Sequence, residues 1–278
     1  MSRSRRRSVG LAVAALLICV YSTFPLYYAV LTSLKRGTAL LDVDYFPFTF
    51  EMGLASYRAV LGEPSFASSI VNSVVVATVV VVASLAIGFT AAFALARIRF
   101  RGRRLVLGTF LVVSMFPQVA VLAGMFELVR YLGLYNSIWS LAVSYLTLTL
   151  PFTVWMLTTF IRGVPRELED AALVDGIGLG TMLWRIFLPI TWPGVVTTAL
   201  LTFIAAWNEF LFALTFTLTN DHRTVPVAIA LLSGGSQHEL PWGNLMAASV
   251  IVTIPLVAII LVFQRRIVSG LTEGALKE

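Results

Sequence analysis

Residues 166–194 read RELEDAALVDGIGLGTMLWRIFLPITWPG, a polar passage held between two membrane-grade apolar runs. Upstream lies Tyr131–Ile161, and Ile186–Ala206 leads away downstream with a continuation toward Asn220. Four further runs of this kind occur: Ser8–Leu34, Pro64–Ala96, Leu105–Phe126 and Leu240–Gln264. A helix crosses a bilayer with about 20 apolar residues, so each run is long enough. The chain is 58% hydrophobic and 12% charged, with a mean hydropathy of +0.89. A soluble domain of 278 residues could not bury that much apolar surface. The runs are continuous and do not alternate, which excludes a barrel and requires backbone groups to be satisfied within helices. The expected fold is all-α and polytopic, with six transmembrane helices. The second and fourth runs exceed one span, and each is expected to carry an extra interfacial or re-entrant piece.

Basic residues set the orientation. Arg3, Arg5, Arg6 and Arg7 precede the first run, and Arg97, Arg99, Arg101, Arg103 and Arg104 follow the second. Arg162, Arg166 and Arg185 follow the fourth, and Arg265, Arg266 and Lys277 close the chain. Lys35, Arg36, Arg58, Arg130 and Arg223 fall on the other side. An excess of Lys and Arg marks the cytoplasmic side, so both termini are expected inside. The net charge of +6 is then a topology signal spread over loops, and it excludes a nucleic-acid face. Arg-rich lead and first run together are expected to be a retained anchor, since the run is too long for a signal peptide and no small-x-small cleavage site stands out. The expected division is 1–34 for the N-terminal segment and first helix, and 35–66 for an extracytoplasmic loop. A core of 67–264 would contain the inner loop 162–189, and 265–278 would be a cytoplasmic tail.

Chemistry-bearing motifs are few. Cys19 stands alone, and His222 and His238 are sixteen residues apart without a ligand cluster, so no metal site is expected. No phosphate-binding GxxxxGK[ST] loop and no catalytic triad or paired carboxylates occur, so no catalytic residue is assigned. Six spans without an internal repeat suggest half of an assembly rather than a complete ion-driven carrier. Trp207, Asn208 and Glu209 stand together in AWNEFLFAL. A carboxylate within a span needs protein, water or a partner. It reads either as a structural cluster between helices or, with the indole and amide, as a sugar-contacting group. Asn72 and Gln118 are further cavity-facing candidates, and Pro117 and Pro151 imply kinks.

Within 166–194, Pro165 is placed to start a helix. Glu167, Glu169 and Asp170 lie early in it, where the helix dipole favours negative charge. Leu168, Ala171 and Ala172 share one face, kept low by the alanines for close approach. Gly176, Gly178 and Gly180 allow a sharp turn. Leu183, Ile186 and Phe187 form a second apolar stripe, and Pro189 and Pro193 return the chain to the membrane.

This pattern resembles the coupling loop of ABC importer permeases, whose general form is Glu-Ala-Ala, two residues, Asp-Gly-Ala, then an apolar series ending in Pro. It stands here as Asp170-Ala171-Ala172-Leu173-Val174-Asp175-Gly176-Ile177, followed by Phe187-Leu188-Pro189. Asp170 shortens the acidic arm, with Glu169 just ahead, and Ile177 replaces the final alanine. AWNEFLFAL and the tail FQRRIVSGLTEGALKE resemble the carbohydrate branch, specifically the smaller permease of a heterodimeric pair. The resemblance implies the type I importer permease fold in a bacterial cell membrane. It implies a second homologous permease, a cytoplasmic ATPase dimer that holds ATP and Mg²⁺, and an extracytoplasmic sugar-binding protein or lipoprotein. This chain itself would bind no cofactor and catalyse no reaction, and its further neighbour would be membrane lipid. Glu169, Asp170, Ala171, Ala172, Asp175 and Gly176 would couple to the ATPase. Gln264, Arg265 and Arg266 would bring the tail toward it, although two anchoring arginines also suit a solvated terminus. Trehalose, a maltose-like glucoside or another oligosaccharide is the implied cargo. Another solute such as glycerol phosphate, or a channel or scaffold outside this family, is the alternative.

Overall fold

The computed structural model describes residues 3–35, 52–232 and 241–275, with side chains over 10–35, 52–232 and 241–264. Among them there is no strand, only an isolated antiparallel bridge between Lys35 and Met52. Two compact units form, one from Met1–Ala67 with Ile229–Pro255 and the other from Ser68–Ala228 with Leu256–Glu278. Residues 36–51 of the expected extracytoplasmic loop, residues 233–240 with His238, and Lys277 lie outside the described residues.

In the first unit, α1 runs Arg3–Leu34 and α2 runs Ala55–Leu61. They are joined where the Ser33 hydroxyl meets the Tyr57 hydroxyl at 2.7 Å and the Gly53 amide donates to the Leu34 carbonyl at 2.8 Å. The apolar side chains of α1 from Leu11 to Tyr28 are exposed, as befits a helix whose solvent is lipid. Cys19 lies on this exposed surface, unpaired.

The second unit holds the polar passage. α3 runs Pro64–Arg97 and belongs to it from Ser68 onward. It is one uninterrupted helix of 34 residues, so the expected re-entrant piece in this run does not form. Such a helix is about 50 Å long, enough to cross the bilayer and project beyond it. α4 (Arg103–Ser114) and α5 (Gln118–Tyr131) then replace the single third span with a pair bent by 98°. Pro117 explains the break: it has φ −60°, ψ 125° and immediately precedes α5, a place where a missing amide costs no helical hydrogen bond. α6 spans Ile138–Arg162, started by the Ser137 side chain accepting from the Trp139 amide at 3.1 Å. Pro151 sits inside it without breaking it.

α7 (Glu167–Val174), α8 (Leu179–Met182), a π-helical turn Leu183–Phe187 and α9 (Leu188–Ile190) form the polar passage. α10 (Trp192–Trp207) leaves it at 81° and is followed by α11 (Leu211–Phe216). A short 3₁₀ turn, Asn220–His222, leads to α12 (Val225–Leu232) and, after 233–240, to α13 (Trp242–Ala275). Among the described residues four helices are long and apolar enough to cross a membrane, and six spans result if each bent pair counts as one.

The core of this unit is layered along its helices. Val76 and Val80 of α3 meet Leu141 and Tyr145 of α6 and Phe212 and Phe216 of α11 in one apolar cluster. Further along the same helices, Phe89 and Phe93 meet Leu157, Ile161, Phe187 and Val195 in a second. Between the clusters lie buried hydroxyl pairs, Ser84 with Thr149 at 2.8 Å and Thr153 with Thr202 at 3.1 Å. Lipid tails are as apolar as leucine, so helices in a bilayer need such hydrogen bonds and close packing to associate. Close packing is visible at Gly194 of α10, where a Cβ would enter the Phe160 ring of α6. Gly194→Ala is expected to cost about 1–3 kcal/mol by overpacking. Thermal unfolding of the solubilised chain should show a lower midpoint, partly restored by Phe160→Leu. A midpoint equal to wild type would mean that α6 and α10 are not in this close contact.

Candidate functional site

α7 begins where α6 ends. The α6 helix stops at Arg162, and Gly163–Pro165 turns the chain before α7 starts at Glu167. Pro165 therefore lies two residues ahead of the helix and does not occupy its first turn. Glu167, Glu169 and Asp170 fill that first turn. At the far end Asp175 follows the last helical residue, and Gly176 takes φ +73°, a left-handed conformation that favours glycine. The Ile177 amide then donates back to the Ala172 carbonyl at 2.9 Å, closing the turn.

The two alanines do not share a surface. Ala172 is 3% exposed and packs in the second core cluster with Leu157, Ile161 and Met182. Ala171 is exposed, beside Leu168, Leu173 and Val174, the last 88% exposed. Ala172 is thus a seat against the protein's own core, and Leu168, Ala171, Leu173 and Val174 make the outward apolar surface. Asp170 and Asp175 are exposed. In the π turn, Leu183 and Phe187 face inward while Trp184 and Arg185 are exposed, so the anticipated second stripe survives in a wider helix.

Glu169 faces inward to Arg97, the last residue of α3, at 3.5 Å. The Arg97 side chain is 4% exposed and that of Glu169 20%. Arg97 also donates to the Ile161 carbonyl at 2.6 Å and to the Val164 carbonyl, and its guanidinium lies 5.0 Å from the Phe187 ring centroid. One side chain thereby joins the end of α3, the end of α6, the start of α7 and the π turn. The carbonyl bonds carry most of this. Hydrogen bonds to charged groups contribute roughly 1.5–3 kcal/mol each, whereas a loosely spaced, partly exposed ion pair contributes about 1 kcal/mol or less. In the sequence Arg97 is one of five arginines in RIRFRGRR, and charge counting gives it only a topological role. Its position at the end of a long apolar run, before any loop residue, was the available signal.

A second polar constellation joins two helix breaks. Glu209 lies in the break between α10 and α11 and is 7% exposed. Its carboxylate accepts from the Phe212 amide at 2.8 Å and the Ala213 amide at 3.2 Å, capping α11. It also accepts from the Gln118 side chain at 2.5 Å, at the first residue of α5. The bend in α4–α5 and the break after α10 are therefore bridged by one amide–carboxylate bond. Glu209→Ala should destabilise by about 2–3 kcal/mol through the unpaired amides and the lost bridge. Glu209→Gln keeps an acceptor oxygen and should lose far less, as thermal unfolding of both variants would show. Equal, unperturbed midpoints would remove the structural role.

The other path candidates separate. Trp207 is buried, stacked on Phe203 at 5.6 Å between centroids, so its ring offers no free face to a sugar. Asn208 is exposed and its amide donates to the Ile204 carbonyl of its own helix at 2.8 Å. Asn72 donates to the carbonyls of Asp221 at 2.7 Å and Arg223 at 3.1 Å, fastening the 3₁₀ turn to α3. Asn136, unrecognised from sequence, has φ +58° and accepts from the Leu218 and Thr219 amides at 2.8 and 3.1 Å. Gln264, Arg265 and Arg266 all have helical backbone in α13, and Gln264 is exposed. The side chains of Arg265 and Arg266 lie outside the described residues. Among the described residues no group of His, Cys, Asp or Glu is arranged to hold a metal.

The sequence pattern of a family described as binding-protein-dependent transport system inner membrane component matches residues 84–273. The chain is 37% identical to the trehalose transport system permease protein SugB of Mycobacterium tuberculosis, with 98% of each chain covered. It is 40% identical to the trehalose/maltose transport system permease protein MalG of Thermococcus litoralis, covering 98% of this chain and 97% of that one. A crystal structure of a bacterial ABC transporter involved in the import of the acidic polysaccharide alginate superposes on 95% of this chain and 98% of its own. The TM-score is 0.83 at 22% identity, a likeness of fold.

Proposed function

Since the chain belongs to the binding-protein-dependent transport system inner membrane components, we propose that it is the smaller of two homologous permeases in a carbohydrate ABC importer. The observation that carries this reading is α7, whose inner side is fastened by Ala172 and Arg97 and whose outer side presents Leu168, Ala171, Leu173 and Val174. Such a helix transmits force instead of absorbing it. Near full-length likeness to trehalose and maltose permeases supports a disaccharide or short glucoside as cargo.

In this reading both termini and 162–189 lie on the cytoplasmic side, as the arginine distribution favours. The outer side of α7, with Asp170, Asp175 and the Gly176 turn, seats in a groove of one ATPase subunit. ATP and Mg²⁺ are held by that ATPase, and this chain supplies no catalytic group. Closing of the ATPase dimer displaces α7, and Arg97 and Ala172 pass the displacement to α3 and α6. The Gln118–Glu209 bridge holds the two helix breaks in register, and such breaks line solute paths in other transporters. An extracytoplasmic binding protein or lipoprotein delivers the sugar. The tail from Gln264 to Glu278 approaches the ATPase dimer, with Arg265 and Arg266 anchoring it.

The test is ATP-dependent accumulation of trehalose, maltose and glycerol phosphate in proteoliposomes containing the whole assembly. Accumulation of a disaccharide that requires ATP and the binding protein is expected. Uptake of glycerol phosphate alone would replace the cargo assignment. Solute flux without the ATPase would replace the importer reading with a channel.

A further inference from the structure

The arginines that Arg97 leaves behind gather around a concavity. Arg99, Arg103, Arg104 and Arg162 line a recess of about 860 Å³ together with Phe100, Gly102, Leu105 and Leu107. It lies wholly within the second unit, between the end of α6 and the start of α4. None of the four arginines forms an ion pair with a described residue. Four cations around one recess repel one another, and that repulsion is relieved by an anion from outside the chain.

Helix formation does not account for them. Arg103 and Arg104 occupy the first turn of α4, where the helix dipole disfavours positive charge. The loop needs only Gly102, at φ +88°, to turn. The recess also has an apolar rim, with Phe100 and Leu105 exposed, Leu105 by 75%. A free inorganic anion has no use for that rim. A phospholipid uses both parts, its phosphate among the guanidinium groups and its acyl chains along the apolar side. The location agrees: α3 and α6 are spanning helices that end here, so the recess stands at the margin of the hydrocarbon layer.

We propose that Arg99, Arg103, Arg104 and Arg162 form a binding site for the headgroup of an anionic phospholipid. Arginine matches a phosphate with two parallel N–H donors, which a solvated lysine does not. Phosphatidylglycerol and cardiolipin supply this phosphate without the quaternary ammonium group that makes phosphatidylcholine neutral overall. The site rests on membrane residence alone and is independent of the transported solute.

The experiment is native mass spectrometry of the full assembly, purified from bilayers containing equal amounts of phosphatidylglycerol and phosphatidylcholine. Wild type is expected to retain phosphatidylglycerol preferentially. In R103Q/R104Q/R162Q the affinity should fall about fivefold for each arginine lost, the usual contribution of one basic residue at an anionic surface. Arg101→Gln, at an exposed arginine outside the recess, should retain as much as wild type. Arg104→Gln alone, also at an exposed position, gives the same direction of change if the triple variant does not assemble. Equal retention by wild type and by these recess variants overturns the proposal. Displacement of the lipid by inorganic phosphate at modest concentration overturns the lipid assignment in favour of a free-anion site. Loss of the ATPase from the triple variant with lipid retention unchanged assigns the recess to a protein contact and also overturns it.

Discussion

Arg97→Ala is expected to lower ATP-driven uptake about a hundredfold while the chain still inserts and pairs, because the loss falls on the loop's attachment and not on the membrane helices. Truncation strips hydrogen bonds from the Ile161 and Val164 carbonyls, removes the partner of Glu169 and empties the space over Phe187. Leaving the two carbonyls without their charged donor costs roughly 1.5–3 kcal/mol each. Much of that would be recovered by letting α7 detach, which is why transport suffers more than folding. Glu169→Gln leaves both carbonyl bonds in place and should cost tenfold or less, about 1 kcal/mol. Initial rates of sugar accumulation compare the two variants. Hydrogen exchange over 165–190 provides the second readout, with faster exchange expected in Arg97→Ala. Wild-type uptake by Arg97→Ala would mean that α7 does not work through α3.

Gly176→Pro should abolish uptake to the level of protein-free vesicles. Gly176 has φ +73°, and a Cβ placed on it would meet nothing within 4 Å, so conformation alone decides what fits. Proline is locked near −65° and also lacks the amide that donates to the Leu173 carbonyl at 3.1 Å. The Asp175–Ile177 turn would open, and α7 would no longer be set against α8. Alanine at this position costs about 1–2 kcal/mol for the left-handed backbone, and asparagine less, because it tolerates this region. Uptake should rank glycine, asparagine, alanine, proline. Any other order, measured at equal membrane levels, would detach the turn from coupling.

How far the sequence could be read depended on the range of the interactions involved. Spanning helices announce themselves because every backbone group must be satisfied within the segment, and Pro64–Arg97 and Ile138–Arg162 need no distant information to form. The turn at Gly176 was legible for the same local reason. The bend at Met115–Pro117 was only half legible: Pro117 signals an interruption, but a 98° change of direction is fixed by what α5 packs against, including Glu209 91 residues away. The facing of α7 departs from its sequence pattern at one alanine, Ala172. Ala171 and Ala172 are equivalent in composition, and only the core formed by Leu157, Ile161 and Met182 distinguishes them. Trp207 looked like a ligand platform for a similar reason, since its stacking partner Phe203 lies one helical turn back within an apolar run. Arg97 is the least legible of these residues. Its bonds go to backbone carbonyls 64 and 67 residues away, and carbonyls carry no signature in a sequence.

Ala172 and Arg97 hold one side of α7 while Leu168, Ala171, Leu173 and Val174 occupy the other. Substitutions on the outer side leave the attachment untouched, and substitutions on the inner side leave the presented surface unchanged. On the proposed docking, compatibility with a given motor can therefore drift, or be redesigned, without disturbing insertion or folding. On the same docking, a chimaera that exchanges those four outer residues together with Asp170 and Asp175 is the graft by which this chain would be made to accept another transporter's ATPase.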